Sequence, residues 1–345
     1  MNKNIIAADQ NMRHYNIPIF IPELACPFRC VYCNQFDISG TGEIPDPNNV
    51  IGIIEQHLAT IPDKKNRIEI AFFGGNFTGI DFEKQKEYLS IAKSYLKSHK
   101  VHGIRLSTRP DYISTDVLNN LKSFGVTAIE LGAQSMDDDV LSKAGRGHTS
   151  GDVLKAAALI REFDFELGIQ MMTGLPFDSP GKTLDTAKQI ITLNADTTRI
   201  YPTLVLADSK LAELFRKGYY KPQSLEEAVD LCAAIFMLFE DAGVKVLRVG
   251  LHPSEALYDK GSMLAGPFHP AFGELVMTLV WKQNLEKKIN NIKGKKLRIA
   301  VHPSQVNSAI GHKAANRIFF EKAFKQVCFY ADDSLSKYQF HVDYC

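Results

Sequence analysis

Residues 17–33 read IPIFIPELACPFRCVYC. The first six, IPIFIP (17–22), form an apolar, β-prone run. The rest is a loop carrying Cys26, Cys30 and Cys33 in the spacing C-x3-C-x2-C, half of the six cysteines in the chain. A strand that runs straight into a ligand-rich loop is the arrangement of parallel α/β folds, whose working residues gather at the carboxyl ends of the strands. Three thiolates from one short loop suit three corners of a four-iron cluster and leave the fourth iron open. Two other readings fit the same residues. One is structural zinc, which needs a fourth ligand such as His14 or a remote cysteine. The other is a dithiol pair, Cys30 and Cys33, with a lowered thiol pKa.

Outward from this loop, short apolar runs alternate with amphipathic segments. The strand candidates are 17–22, 68–74, 103–108, 128–134, 167–174 and 198–205. Each is nearly continuous in apolar residues, as strands buried on both faces are. Helical spacing marks 48–59, 82–98, 114–123, 152–163 and 183–193. Ser114 is placed as an N-cap and Gly125 as the stop of its helix. Six strand–helix units with right-handed crossovers predict an α/β fold, a partial (β/α)6 TIM-like barrel with an open side. The rhythm changes after 205. Helices at 207–217 and 224–242, another strand at 244–251 and a Gly/Pro/His stretch at 261–273 lead to a helix ending near 290. The last fifty residues predict a small α+β appendage, with a helix over 304–325 and KGKK (293–296) as a hinge. The expected division is a barrel over 1–255 and an extension over 256–345.

Bulk composition narrows the function. The 345 residues are 45% apolar, enough for a large core, and carry a net charge of +1 from 40 basic and 39 acidic side chains. No global pull toward nucleic acid or membrane follows. No apolar run approaches the roughly 18 residues of a membrane span, and the N-terminus lacks a secretory core. The expected location is a reducing cytoplasm, where clustered cysteines serve metals or redox chemistry. Cys232 reads as a small buried hydrophobe.

The residues around the cysteines carry a resemblance. C-x3-C-x2-C with Tyr32 before the last cysteine resembles the radical S-adenosylmethionine (SAM) superfamily. GGN at 74–76 looks like that superfamily's Gly-Gly-Glu-type motif. The order GGNFTG, STRPDYI, ELGAQS, RGHT, MMTGLP is similar to the catalytic subunit of Elongator and its bacterial relatives, over about residues 17–255. The expectation is such a protein without the acetyltransferase domain. The resemblance implies that Cys26, Cys30 and Cys33 ligate a [4Fe-4S] cluster whose free iron is chelated by SAM. Reductive cleavage of SAM would then give a 5′-deoxyadenosyl radical that abstracts hydrogen from a substrate, by analogy a tRNA base. It also implies a reduced electron donor of the flavodoxin or ferredoxin type.

Further residues acquire roles in that frame. Gly74 and Gly75 would let the backbone approach SAM closely, beside Asn76; an ordinary βα turn is the alternative. Arg109 would pair with the SAM carboxylate, or else with Asp111 or Asp137. Gln134 would reach the ribose or the substrate, and Arg146 would contact SAM. Met172, Gly174 and Leu175 would form an adenine shelf, with strand-end packing as the plainer account. Tyr201 is the catalytic candidate, a phenol that donates a hydrogen atom or orients substrate; a packed tyrosine with a satisfied hydroxyl is the other reading. His252 and His302 read as structural, whereas the GPFHPAFG stretch (266–273) around His269 reads equally as a lining of the substrate opening or as a rigid turn leading into a helix. From Trp281 to Arg298 there are seven basic residues and one acidic. That run is a solvated face or a contact for an RNA backbone, and a metal-stabilised RNA-binding module without catalysis is the competing function.

Overall fold

The structure, a computed structural model, describes residues 13–21, 26, 30–34, 44–62, 66–251, 261–289 and 294–344. Pro27, His252, Lys293 and Cys345 lie outside the described residues. Twelve strands are described: β1 (Arg13–Ile21), β2 (Asn66–Gly74), β3 (Gly103–Thr108), β4 (Ala128–Gln134), β5 (Glu166–Thr173), β6 (Thr197–Pro202), β7 (Val205–Leu206), β8 (Lys245–Val249), β9 (Met263–Ala265), β10 (Gly294–Val301), β11 (Phe324–Ala331) and β12 (Phe340–Tyr344). The main sheet has the order β1-β2-β3-β4-β5-β6-β8, all pairs parallel.

This is the expected partial barrel, with one strand more than the six read from the sequence. The segment at 244–251 supplies the seventh, β8, beside β6. The run at 198–205 is not one strand. β6 ends at Pro202, and β7 pairs antiparallel with β9 instead. The KGKK segment is not a free hinge either, since Gly294 already opens β10. The expected helix over 304–325 is broken into Val306–Ile310 and Ala315–Glu321. Gly311, at φ +85°, makes the break, and a Cβ there would sit 2.8 Å from the Thr278 methyl.

Local signals explain the helices. Asp46, Ser114, Thr149, Ser179 and Ser224 each accept a backbone N–H from the first turn that follows them. Such caps are worth about 1 kcal/mol each. Thr149 with Asp152, and Ser224 with Glu227, close reciprocal capping boxes.

Alternation along the strands then decides what faces where. Ile17, Ile19, Ile70, Phe72, Ile104, Leu106 and their equivalents point outward and are buried under the helices. Each fully buried aliphatic contributes roughly 1.5–3 kcal/mol. The intervening residues line the barrel lumen. The helix Phe272–Ile289 ties the two ends of the chain together. Phe272, Val276 and Val280 belong to the barrel core. Trp281, Leu285 and Ile289 belong to the appendage core, against the three-stranded sheet β11-β10-β12.

Candidate active site at the carboxyl rim

The cysteine loop is held by its neighbours rather than by regular structure. Val31 N–H donates to the Ala144 carbonyl (3.0 Å), and the Val31 carbonyl accepts from Leu211 N–H (2.7 Å). Cys33 N–H donates to the Cys30 carbonyl (3.0 Å), which closes a tight turn between two of the thiols. Cys30 is buried, Cys26 and Cys33 are half-buried, and none of the three is in a disulfide. Tyr32 and Met172 both pack against the Val140–Ala144–Leu175 cluster. The aromatic of the motif thus brings the ends of β1 and β5 together.

Arg146 reaches this loop from a residue 116 positions away. Its Nη1 donates to Cys30 Sγ (3.3 Å) and Tyr32 Oη (3.3 Å), and its Nη2 to the Gly132 carbonyl. The guanidinium thus stands in direct contact with one of the three sulfurs of the motif. Next to it, His148 Nε2 bonds to the Ala133 carbonyl (3.2 Å). Burial, reinforced by the charges of Arg146 and Arg109, pushes its pKa down to about 4. The ring is therefore neutral near pH 7, with Nε2 as donor and Nδ1 as acceptor. Among the described residues, His148 Nδ1, Arg146 Nε and Gln134 Oε1 are buried at this rim with no hydrogen-bond partner. Gln134 sits at φ +69°, after the register shift that ends β4.

The other sequence-predicted residues have defined places. Gly74 (φ +129°) is forced by its neighbour strand, because a Cβ there would lie 2.0 Å from the Ile21 carbonyl oxygen. Gly75 follows at the same strand end. Asn76 is buried, and its Oδ1 accepts from Thr108 Oγ1 (2.7 Å) and Arg109 N–H (3.3 Å), which laces β2 to β3. Arg109 makes a bidentate pair with Asp111 (both 2.9 Å), one of the two acidic partners expected from the sequence, and donates to the Arg146 carbonyl (2.7 Å). Gly174 (φ +72°) donates its N–H to Asp178 and accepts from Tyr220 Oη (2.6 Å); a Cβ would strike Gln223. Tyr201 lies on the lumen side of β6, beside Arg199. His269 and His302 each accept a nearby backbone N–H, and so brace turns. Cys232 is buried on its helix, its thiol pushed up to about 12 by desolvation.

Below the rim lies a feature that sequence reading missed. Arg105, 1% exposed, donates to Glu69 (2.9 Å), Glu130 (3.1 Å) and Glu166 (2.7 Å). Arg199 forks onto Glu130 (2.7 and 3.2 Å), which also accepts from Gln170 (3.0 Å). His14 and Arg67 complete the shell of Glu69. Burial alone would raise the Glu69 carboxyl. The hydrogen bond from His14 and the charges of Arg105 and Arg67 outweigh it and hold the group below the usual carboxylate range. The available signal was one charged residue inside each of several apolar strands: IEIAFFG, GIRLST, AIELGAQ and TRIYPT. The network also removes His14 as a zinc ligand. His14 lies seven residues down β1 from Ile21, about 20 Å from the cysteine end at ~3.3 Å per residue.

The comparisons with known proteins agree with this geometry. The model of the Radical SAM superfamily matches residues 21–190, and that of the Radical_SAM C-terminal domain matches residues 195–281. The chain belongs to the radical SAM superfamily, and is an enzyme of that class. It is 26% identical over 239 residues to a tRNA uridine(34) acetyltransferase of Dehalococcoides mccartyi, covering 60% of this chain and 52% of that protein. It is 28% identical over 248 residues to Elongator complex protein 3 of Saccharomyces cerevisiae, covering 61% and 44%. The chain thus spans about half the length of the curated relatives it matches. The structure of archaeal Methanocaldococcus infernus Elp3 with an N-terminal deletion shares the fold: TM-score 0.63, 23% identity, 79% of this chain and 64% of that one. No helix among the described residues is long and apolar enough to cross a membrane.

The superfamily uses a [4Fe-4S] cluster and SAM, and the rim fits both. Three cysteine thiols in one loop are the right donor set for a cluster with one open iron. The orphaned atoms of Gln134, Arg146 and His148 are two acceptors and one donor, chemistry that a polar nucleotide cofactor satisfies. Among the described residues, no three potential ligands are yet close enough together to hold a metal ion.

Proposed function

We propose that Cys26, Cys30 and Cys33 hold the cluster and that this enzyme cleaves SAM to take a hydrogen atom from a substrate in the barrel lumen. When bound, the cluster and SAM supply reductive C–S cleavage and hydrogen-atom abstraction. The chain's own residues bind, orient and shield. Arg146 sets the charge beside Cys30 and fixes Tyr32. Tyr32, Met172 and Leu175 present an apolar shelf at the ends of β1 and β5. Gln134 and His148 offer acceptors to the SAM amino or ribose groups, and Gly74 and Gly75 keep the approach open. Arg109, locked by Asp111, holds the Arg146 carbonyl and so the loop that carries Arg146. Tyr201 faces the lumen where substrate would lie. The single observation that carries this reading is the contact of Arg146 with Cys30 and Tyr32, which builds one site from the cysteine motif and the β4 loop.

The relatives named for tRNA uridine(34) support a tRNA base as the substrate. A reduced flavodoxin- or ferredoxin-type donor supplies the electron, in a reducing cytoplasm. The test is anaerobic reconstitution. The protein should bind about four irons, as a cubane requires, and release 5′-deoxyadenosine when given dithionite and SAM. A colourless protein with one zinc and no SAM turnover would favour the RNA-binding module.

A further inference from the structure

The lumen wall beside the charge network is divided into two chemistries. On β8, Arg248 lies level with Arg199 of β6 and shares its face. Every other guanidinium of this wall is neutralised: Arg67 by Glu69 and Glu166, Arg105 by three glutamates, Arg199 by Glu130. Arg248 is not. Among the described residues no carboxylate lies within ion-pair distance of it, and its one hydrogen bond is from Nε to the Gly250 carbonyl (3.0 Å). The side chain is half-buried and close enough to Arg199 and Tyr201 for each to feel the others' charge. A brace to Gly250 accounts for one of the five N–H donors that a guanidinium carries. The remaining fork is a part-desolvated cation without a counter-ion among the described residues, and such charges are costly unless paired.

On the opposite edge strand, Phe20 is 39% exposed, although its neighbours Ile19 and Ile21 are sealed beneath the helices. Its ring lies 6.1 Å from that of Phe73, and the Arg199 guanidinium stands 5.1 Å over Phe73. Phe20 and Arg248 thus sit on β1 and β8, the two strands that flank the open side of the barrel. One edge offers an aromatic surface, the other an unspent cation with the Tyr201 phenol beside it.

We propose that the substrate carries an anionic group, a phosphate or a carboxylate, attached to a planar ring, and that Arg248 holds this anion inside the lumen while Phe20 and Phe73 face the ring. A guanidinium fork matches either oxyanion bidentately, and a ring edge or face adds aromatic contact. This deepens the reading of the lumen as the substrate site and rests on it.

The test titrates cluster-loaded, full-length protein with phenyl phosphate, benzoate and phenol under anaerobic conditions, followed by calorimetry. At least one anion should bind about tenfold tighter than phenol, the scale of one charge-assisted hydrogen-bonded pair. Arg248→Gln should erase that advantage, and Arg248→Lys should keep part of it. Phe20→Ala should weaken anion and phenol alike. The better anion identifies the phosphate or the carboxylate source. Equal binding of all three ligands, no binding of any, or an unchanged ratio in Arg248→Gln with the thermal midpoint preserved would overturn the proposal. Release of 5′-deoxyadenosine from SAM is measured separately without probe. A failure there sinks the radical reading, whereas a failure of the anion preference sinks only this one.

Discussion

The two levels of the barrel spend their polar residues differently. In the lower lumen, Glu69, Arg105 and Glu130 are buried and engaged by partners on several strands, and the half-buried Arg199 is forked onto Glu130. At the carboxyl rim, Gln134, Arg146 and His148 are also packed in, yet each keeps an atom without a partner. A closed network fixes structure, since any change leaves a charge stranded. An open one stores unsatisfied bonding capacity for something that arrives later. The difference separates residues that hold the barrel from residues that await a cofactor.

Substitutions at each level sharpen or break that contrast. The largest effect should come from Cys30→Ala: loss of cluster absorbance and of 5′-deoxyadenosine release together. The far-ultraviolet circular dichroism should be unchanged, because no strand depends on the thiol. Residual SAM cleavage in that variant would remove the rim from the chemistry.

Arg105→Leu should do the reverse. It strands three carboxylates and should cost about 3–5 kcal/mol in urea unfolding, the range for breaking a buried ion pair. A cost below about 1 kcal/mol, the level of an exposed pair, would mean that the network is solvated rather than structural.

The two levels should also titrate in different windows. His148 has its folded pKa depressed to about 4 from 6.5. The unfolded chain takes up that proton first. Stability of the metal-free protein should therefore fall as pH drops from 6.5 toward 4, by roughly 3 kcal/mol in all. Glu69 and Glu130 are held below their ordinary value of 4.5. Their contribution is complete above that pH and is lost as pH falls below it. Denaturant midpoints against pH should show both limbs. His148→Gln should flatten the upper and Glu130→Gln the lower, and a single shared limb would merge the two regions.

The smallest effect on stability should be that of Arg248→Gln. With no acidic partner among the described residues to strand, it should shift unfolding by less than about 1 kcal/mol. A cost like that of Arg105 would assign it to the network.

The cysteine loop, the strand candidates and the Ser114 cap were legible because each is a local pattern: a spacing, a run or one side chain against the next turn. The strand at 244–251 was legible too, but not its membership of the barrel sheet, which only lateral pairing with β6 decides. Arg146 could be singled out from the GRGHT motif, but not its contact with Cys30, which spans 116 residues. The lumen network was invisible for a related reason. A lone arginine in GIRLST carries no sign of the glutamates that three other strands bring to it.

From the sequence alone came the αβ alternation, the thiol-bearing loop at a strand end, and hence the class of chemistry. These depend on neighbours along the chain. Tertiary structure alone decided which charges are cancelled and which are left free, among them Arg248 and the orphaned atoms of the rim. Compensation of a buried charge depends on distance in space, and the partners that supply it here come from separate strands of the sheet.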